Sequence, residues 1–139
     1  MGKLEFMSPA WIEMASGEIT SAFQGKDLSG ASFTLCEEFT NPPAHLRRGD
    51  AETIGFCISL HDGQIEVGDH PREDADCTIV SEYAEALAVA RNPEMAAADP
   101  KAVQERLASG RLRILGNPGG MPAVLGQVDV HRLLASHTA

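Results

Sequence analysis

The chain has 139 residues, of which 43% are hydrophobic and 22% charged, and its formal net charge is −9. That length and apolar content are enough for one domain with a sizeable core, and they exclude a disordered chain. The negative balance excludes a nucleic-acid partner, because the phosphate backbone binds cationic surfaces.

In chain order, Lys3-Leu4-Glu5-Phe6 has the look of a cloning scar, since those dipeptides are encoded by common restriction sites. Residues 1–7 are therefore set aside as disordered or vector-derived, within a single domain spanning 1–139. Ser8-Pro9 opens a helix, with Ser as N-cap and Pro in the first turn. Trp11, Ile12, Ala15, Ile19, Ala22 and Phe23 make one apolar stripe along it. Gly25 to Gly30 forms a turn. Ala31 to Phe39 alternates, placing Phe33, Leu35 and Phe39 on one face together with Glu37. After Asn41-Pro42-Pro43, the alternation of Ile54, Phe56, Ile58 and Leu60 marks a second strand. Asp62-Gly63 turns it into a return strand with Ile65 and Val67. Gly68 to Asp74 is a loop, and Cys77 to Ser81 a fourth strand.

The period then changes. Tyr83, Ala86, Leu87 and Ala90 form a helical stripe that stops at Asn92-Pro93. Asp99-Pro100 opens another helix, with Val103 and Leu107 expected inward. A fifth strand, Arg111 to Leu115, lies between Gly110 and Gly116. Met121, Val124, Leu125 and Val128 make a further helical stripe, with a break near Gly126 and Asp129 capping a last short helix. A helix, four strands, two helices, a strand and a helix indicate an α+β domain. The expected architecture is a five-stranded, mainly antiparallel sheet covered on one face by helices. Short links favour antiparallel pairing of the second to fourth strands. The fifth, arriving after a helical crossover, is free to join parallel to a neighbour.

The stretch Ser109-Gly110-Arg111-Leu112-Arg113-Ile114-Leu115-Gly116 follows a helix, and Asp74-Ala75-Asp76-Cys77-Thr78-Ile79 precedes it. Together they resemble two signatures of the sterol carrier protein type 2 family, in the family's order and over roughly Asp74 to Leu134. The stretch from Arg91 to Pro100 is longer than that family's usual link, and Asn117-Pro118-Gly119-Gly120 replaces its commoner strand end. The resemblance implies a tunnel between sheet and helices that holds fatty acyl chains or sterols.

Chemistry is sparse. Cys36, Cys57 and Cys77 are odd in number and each sits in a strand-like run. They are expected to be reduced, buried and structural, which places the protein in the cytoplasm. No spacing puts two of His45, His61 and His70 on one face, so no metal site and no cofactor are expected. Glu37 must be paired, exposed at a sheet edge, or functional, and edge exposure is the first expectation. Arg106, Arg111, Arg113 and Arg132 make the C-terminal end basic; the plain reading is a solubilising surface, the sharper one a docking face for an anionic head group. No apolar run is long enough to span a bilayer, so no stable membrane insertion is expected.

What remains is apolar. Trp11, Ile19, Phe23, Phe33, Phe56, Ile79, Leu107, Ile114, Met121 and Leu125 are the large residues of the inward faces, and they are expected to line an apolar cavity. The resemblance implies noncovalent binding, and carriage or presentation, of a fatty acid, acyl-CoA or sterol-like molecule. A partner enzyme would receive it, and a homodimer is compatible with this reading. No bond is broken. The alternatives are a small isomerase- or cyclase-type enzyme with Glu37 or a His as base, and a protein-interaction module whose apolar faces are simply core.

Overall fold

In a computed structural model that describes residues 2–94 and 100–139, β1 (Phe33–Thr40) is the central strand of a five-stranded sheet. It pairs antiparallel with β2 (Ile54–His61) and parallel with β4 (Cys77–Glu82). β3 (Gln64–Gly68) extends the sheet beyond β2, and β5 (Leu112–Gly116) extends it beyond β4, both antiparallel. The sheet is thus mainly antiparallel, as expected, but its parallel pair is β1 with β4 rather than one involving β5.

The short link after β3 is the reason. Instead of making a hairpin, residues 69–76 carry the chain back across the sheet to the free side of β1. Asp76 clamps the landing: its amide donates to the Thr34 carbonyl at 2.9 Å, and its carboxylate accepts from the Thr34 amide at 2.8 Å. Gly55 lets this loop lie close, since a Cβ there would collide with the Glu37 carbonyl and with the Pro71 ring. β2 is consequently buried on both faces, from Ile54 to Leu60.

Among the described residues, four α-helices accompany the sheet. α1 (Pro9–Ala22) starts where the Ser8 hydroxyl accepts from the Trp11 amide at 3.2 Å, and it buries Trp11, Ile12, Ala15 and Ile19. α2 (Tyr83–Arg91) continues directly from β4, α3 (Pro100–Ser109) precedes β5, and α4 (Val130–Ala135) is capped by Asp129, whose carboxylate accepts from the Arg132 amide at 3.2 Å. Asp99, expected to open α3, lies outside the described residues, as does much of the link from Arg91 to Pro100. The stripe from Met121 to Val128 does not form an α-helix. Within it Ala123–Gln127 forms a 3₁₀ turn, and another 3₁₀ turn, Pro118–Gly120, ends just before Met121. The glycines and prolines around it disfavour a longer α-helical run.

Two expectations are corrected in the core. The segment set aside at the N-terminus is part of the fold. The Leu4 amide donates to the His137 carbonyl at 2.8 Å, and the Ala139 amide donates to the Leu4 carbonyl at 2.7 Å. Phe6 is only 4% exposed, its ring 4.9 Å from that of Trp11 in an edge-on arrangement. A large aromatic at that point has apolar surface to bury, whatever the origin of the residues before it. The cysteines are not all reduced either. β1–β2 register sets Cys36 directly opposite Cys57, their Cα atoms 4.1 Å apart, and the two form a disulfide; Cys77 is the buried free thiol. The premise for a cytoplasmic location, three reduced thiols, is thereby removed.

Candidate functional site

An apolar cavity of about 280 Å³ lies between the sheet and the helices. Register builds its floor. Phe56 of β2, Glu37 of β1 and Ile79 of β4 stand side by side across three strands, with Phe39, Ser81 and Leu112 beside them. Phe6 and Trp11 close one wall. The roof is Ala86, Val89 and Ala90 of α2, Val103 and Arg106 of α3, and Val130, His131 and Leu134 of α4. The void has a sequence cause: α2 presents alanines and a valine to the sheet, where longer side chains would fill the gap. Its volume sits at the small end of ligand pockets, about 300–1,000 Å³. It is well above the roughly 150 Å³ of an engineered apolar cavity that admits benzene.

Trp11 can offer its ring to this space because its polar edge is already satisfied. Its Nε1–H donates to the Thr138 hydroxyl at 2.9 Å, and that hydroxyl donates onward to the Leu134 carbonyl at 2.9 Å. Tyr83, buried at the start of α2, donates its hydroxyl to the Phe6 carbonyl at 3.0 Å, and burial pushes its pKa up.

Few polar groups reach the cavity. The expectation that Glu37 is exposed at a sheet edge is corrected: it stands on the central strand, with 22% of its side chain exposed. His131 Nε2 stands 3.8 Å from Glu37 Oε1, and the carboxylate raises the imidazole pKa above its ordinary value against an opposing effect of burial. Arg106 is engaged by Glu85 at 3.0 Å, and the same carboxylate holds Arg111 at 3.3 Å. With Arg132 paired to Asp129 at 3.4 Å, most of the basic cluster is neutralised locally, which favours the solubilising reading.

Of the residues expected to line a cavity, Trp11, Phe56 and Ile79 do so. Ile19, Phe23, Phe33 and Leu125 are buried in the core outside it, and Met121 packs against that core. Leu107 and Ile114 are 41% and 44% exposed. α3 turns Val103 and Arg106 inward instead of Leu107. Ile114 shares the inward face of β5 with Leu112 but lies past the reach of the roof. Sequence reasoning missed Phe6, Phe39, His131 and Leu134. Phe39 was legible, being on the same face as Glu37. His131 became legible only once Asp129 was taken as a cap, which puts Val130, His131 and Leu134 on the inward side of one short helix.

The three histidines weighed as ligands are far apart in role: His45 pairs with Glu5 at 2.9 Å, His61 stands 3.4 Å from Glu66, and His70 stands 3.0 Å from Asp69. Among the described residues, no group of three or more His, Cys, Asp or Glu side chains is placed to hold a metal ion, and no helix is long and apolar enough to cross a membrane.

A crystal structure of sterol carrier protein 2 superposes on this chain with a TM-score of 0.56, covering 96% of this chain and 100% of that one at 13% identity. The fold is that of sterol carrier protein 2. A Thermus thermophilus protein, described as a conserved hypothetical protein and candidate sterol carrier protein, shares this fold with a TM-score of 0.57 at 14% identity, over 100% of this chain and 94% of that one. The sterol carrier protein domain 2 of Helicoverpa armigera matches with a TM-score of 0.53 at 16% identity, over 97% and 93% of the two chains. At the level of sequence, no family model and no curated protein matches. The likeness to these neighbours is thus one of fold, at 13–16% sequence identity. The two stretches that carried the resemblance meet in the sheet: Cys77, next to the Asp76 clamp, faces Gly116, and Ser81 faces Leu112.

Proposed function

We propose that this protein binds a hydrophobic ligand noncovalently and carries or presents it. The observation that carries the reading is the apolar cavity of about 280 Å³, walled by Phe6, Trp11, Phe39 and Phe56 and open to few polar groups. Each ligand methylene moved from water into it is worth about 0.8 kcal/mol. Solved structures with this fold include proteins named as sterol carriers, which supports a fatty acyl or sterol-like ligand. Trp11, Phe56 and Ile79 are the wall residues that would touch it. The net charge of −9 disfavours docking on anionic membranes, so delivery would be by collision with a partner enzyme. Neither a cytoplasmic location nor a homodimer is required by this reading.

Native mass spectrometry of freshly purified protein should reveal a co-purifying lipid, and an uncharged fluorescent lipid probe should bind saturably and be displaced by a natural lipid. A cavity that accepts neither would end the proposal. One observation favours the enzymatic alternative: Glu37 and the half-exposed His131 stand 3.8 Å apart on the lining of an apolar cavity. Turnover of a hydrophobic substrate that is abolished in Glu37→Gln would establish that alternative.

A further inference from the structure

The polar end of the cavity carries information about what the ligand's own polar end must be. Glu37 projects from the middle of the sheet between Phe56 and Ile79 with 22% of its side chain exposed, and among the described residues no donor lies within hydrogen-bonding range of its carboxylate, so a ligand that displaces water there must replace the water's hydrogen bonds. Its ion-pair partner among the described residues, His131, is 3.8 Å away, beyond hydrogen-bonding range. Two atoms at that separation can both be reached by a single oxygen placed between them. Such an oxygen must bring a proton for the carboxylate and a lone pair for the imidazole N–H. An alcohol meets both needs. A carboxylate brings no proton and adds a like charge beside Glu37. Arg106, the other charged group among the described residues lining the cavity, already spends its guanidinium on Glu85 at 3.0 Å.

We propose that the cavity takes a neutral amphiphile whose polar end is a hydroxyl group, held between Glu37 Oε1 and His131 Nε2, and that it discriminates against free carboxylates. This rests on the ligand-binding reading above and narrows it. The volume sets the scale of the probe. At roughly 30 Å³ per small heavy-atom group, about 280 Å³ holds about nine such groups, the size of an eight-carbon chain with its head.

The chain has a single tryptophan, Trp11, and it lines the cavity, so its emission reports occupancy directly. Wild-type protein is titrated at neutral pH with 1-octanol, octanoate and octylamine, and the titrations are repeated on Glu37→Gln after its melting curve shows it folded. Wild type should bind 1-octanol at least about tenfold tighter than octanoate, the scale of one hydrogen bond to a charged group. Glu37→Gln should lose most of that preference by admitting octanoate. Octanoate binding wild type as tightly as 1-octanol would overturn the inference and point to Arg106 as the head-group site. Octylamine binding most tightly would also overturn it, with Glu37 acting as a counter-ion. Both results leave the hydrophobic-ligand reading intact, whereas no binding of any of the three would overturn both. The wild-type comparison stands even if the variant fails to fold.

Discussion

Phe6→Ala separates a structural N-terminus from an appendage. Phe6 is 4% exposed and its ring lies 4.9 Å from Trp11, 5.3 Å from Phe39 and 5.6 Å from Tyr83. Burial of a phenylalanine side chain is worth about 1.5–3 kcal/mol. Its aromatic contacts add about 0.5–1.5 kcal/mol. The void left behind merges with a cavity that is already present, so surrounding side chains have little to collapse onto. The expected loss is about 3–5 kcal/mol, the range of Phe→Ala costs in protein cores. For a domain of this size that lowers Tm on the order of 10 °C. The Tyr83 hydrogen bond goes to the Phe6 backbone carbonyl, so it survives the substitution and the measurement reports the ring alone. Thermal unfolding followed by circular dichroism is the assay. A residue on a mere tail would change stability by less than about 0.5 kcal/mol, and a Tm within about 2 °C of wild type would refute the packing argument.

Glu85→Ala should cost about 1 kcal/mol, because it frees Arg106 and Arg111 together from a carboxylate that is largely covered; a denaturant midpoint unchanged from wild type would contradict this. The raised pKa of His131 means that folding favours its protonated form. Its stabilisation is complete below the unfolded-state value, about 6.5, and is lost as pH rises through the higher folded value. His131→Gln should therefore flatten the decline of stability with pH between those two values, a decline whose size Glu37 and Asp129 set. A pH profile identical in the two proteins would show that the pair does not couple to folding. In denaturant without reductant, a thiol reagent should titrate one cysteine, Cys77, and after reduction three. Three reactive thiols before reduction would refute the disulfide. Breaking it should lower stability by about 3 kcal/mol if closure of the loop between Cys36 and Cys57 dominates.

The elements were legible because they rest on local chemistry. The Ser8-Pro9 cap, the alternation from Ile54 to Leu60, the Asp62-Gly63 turn and the Asp129 cap depend on neighbours a few residues away, and each appears where its pattern places it. The α+β class follows from their order. Local reasoning failed where glycine and proline density competed with an apolar stripe, and Met121 to Val128 holds a 3₁₀ turn in place of an α-helix. Everything at the site came from long-range pairing. The parallel β1–β4 register puts Glu37 between Phe56 and Ile79, a position that no periodicity within β1 reveals. The same antiparallel register that faces Glu37 with Phe56 faces Cys36 with Cys57, turning two strand cysteines into a disulfide. Apolar patterning distinguishes an inward face from an outward one, but it does not say whether that face meets a neighbour or a void. That depends on the lengths of the side chains arriving from other elements, here Ala86, Val89 and Ala90 of α2, and on Phe6 reaching in from the N-terminus. The inward faces were a property of the sequence; the cavity between them was decided only when the helices were laid on the sheet.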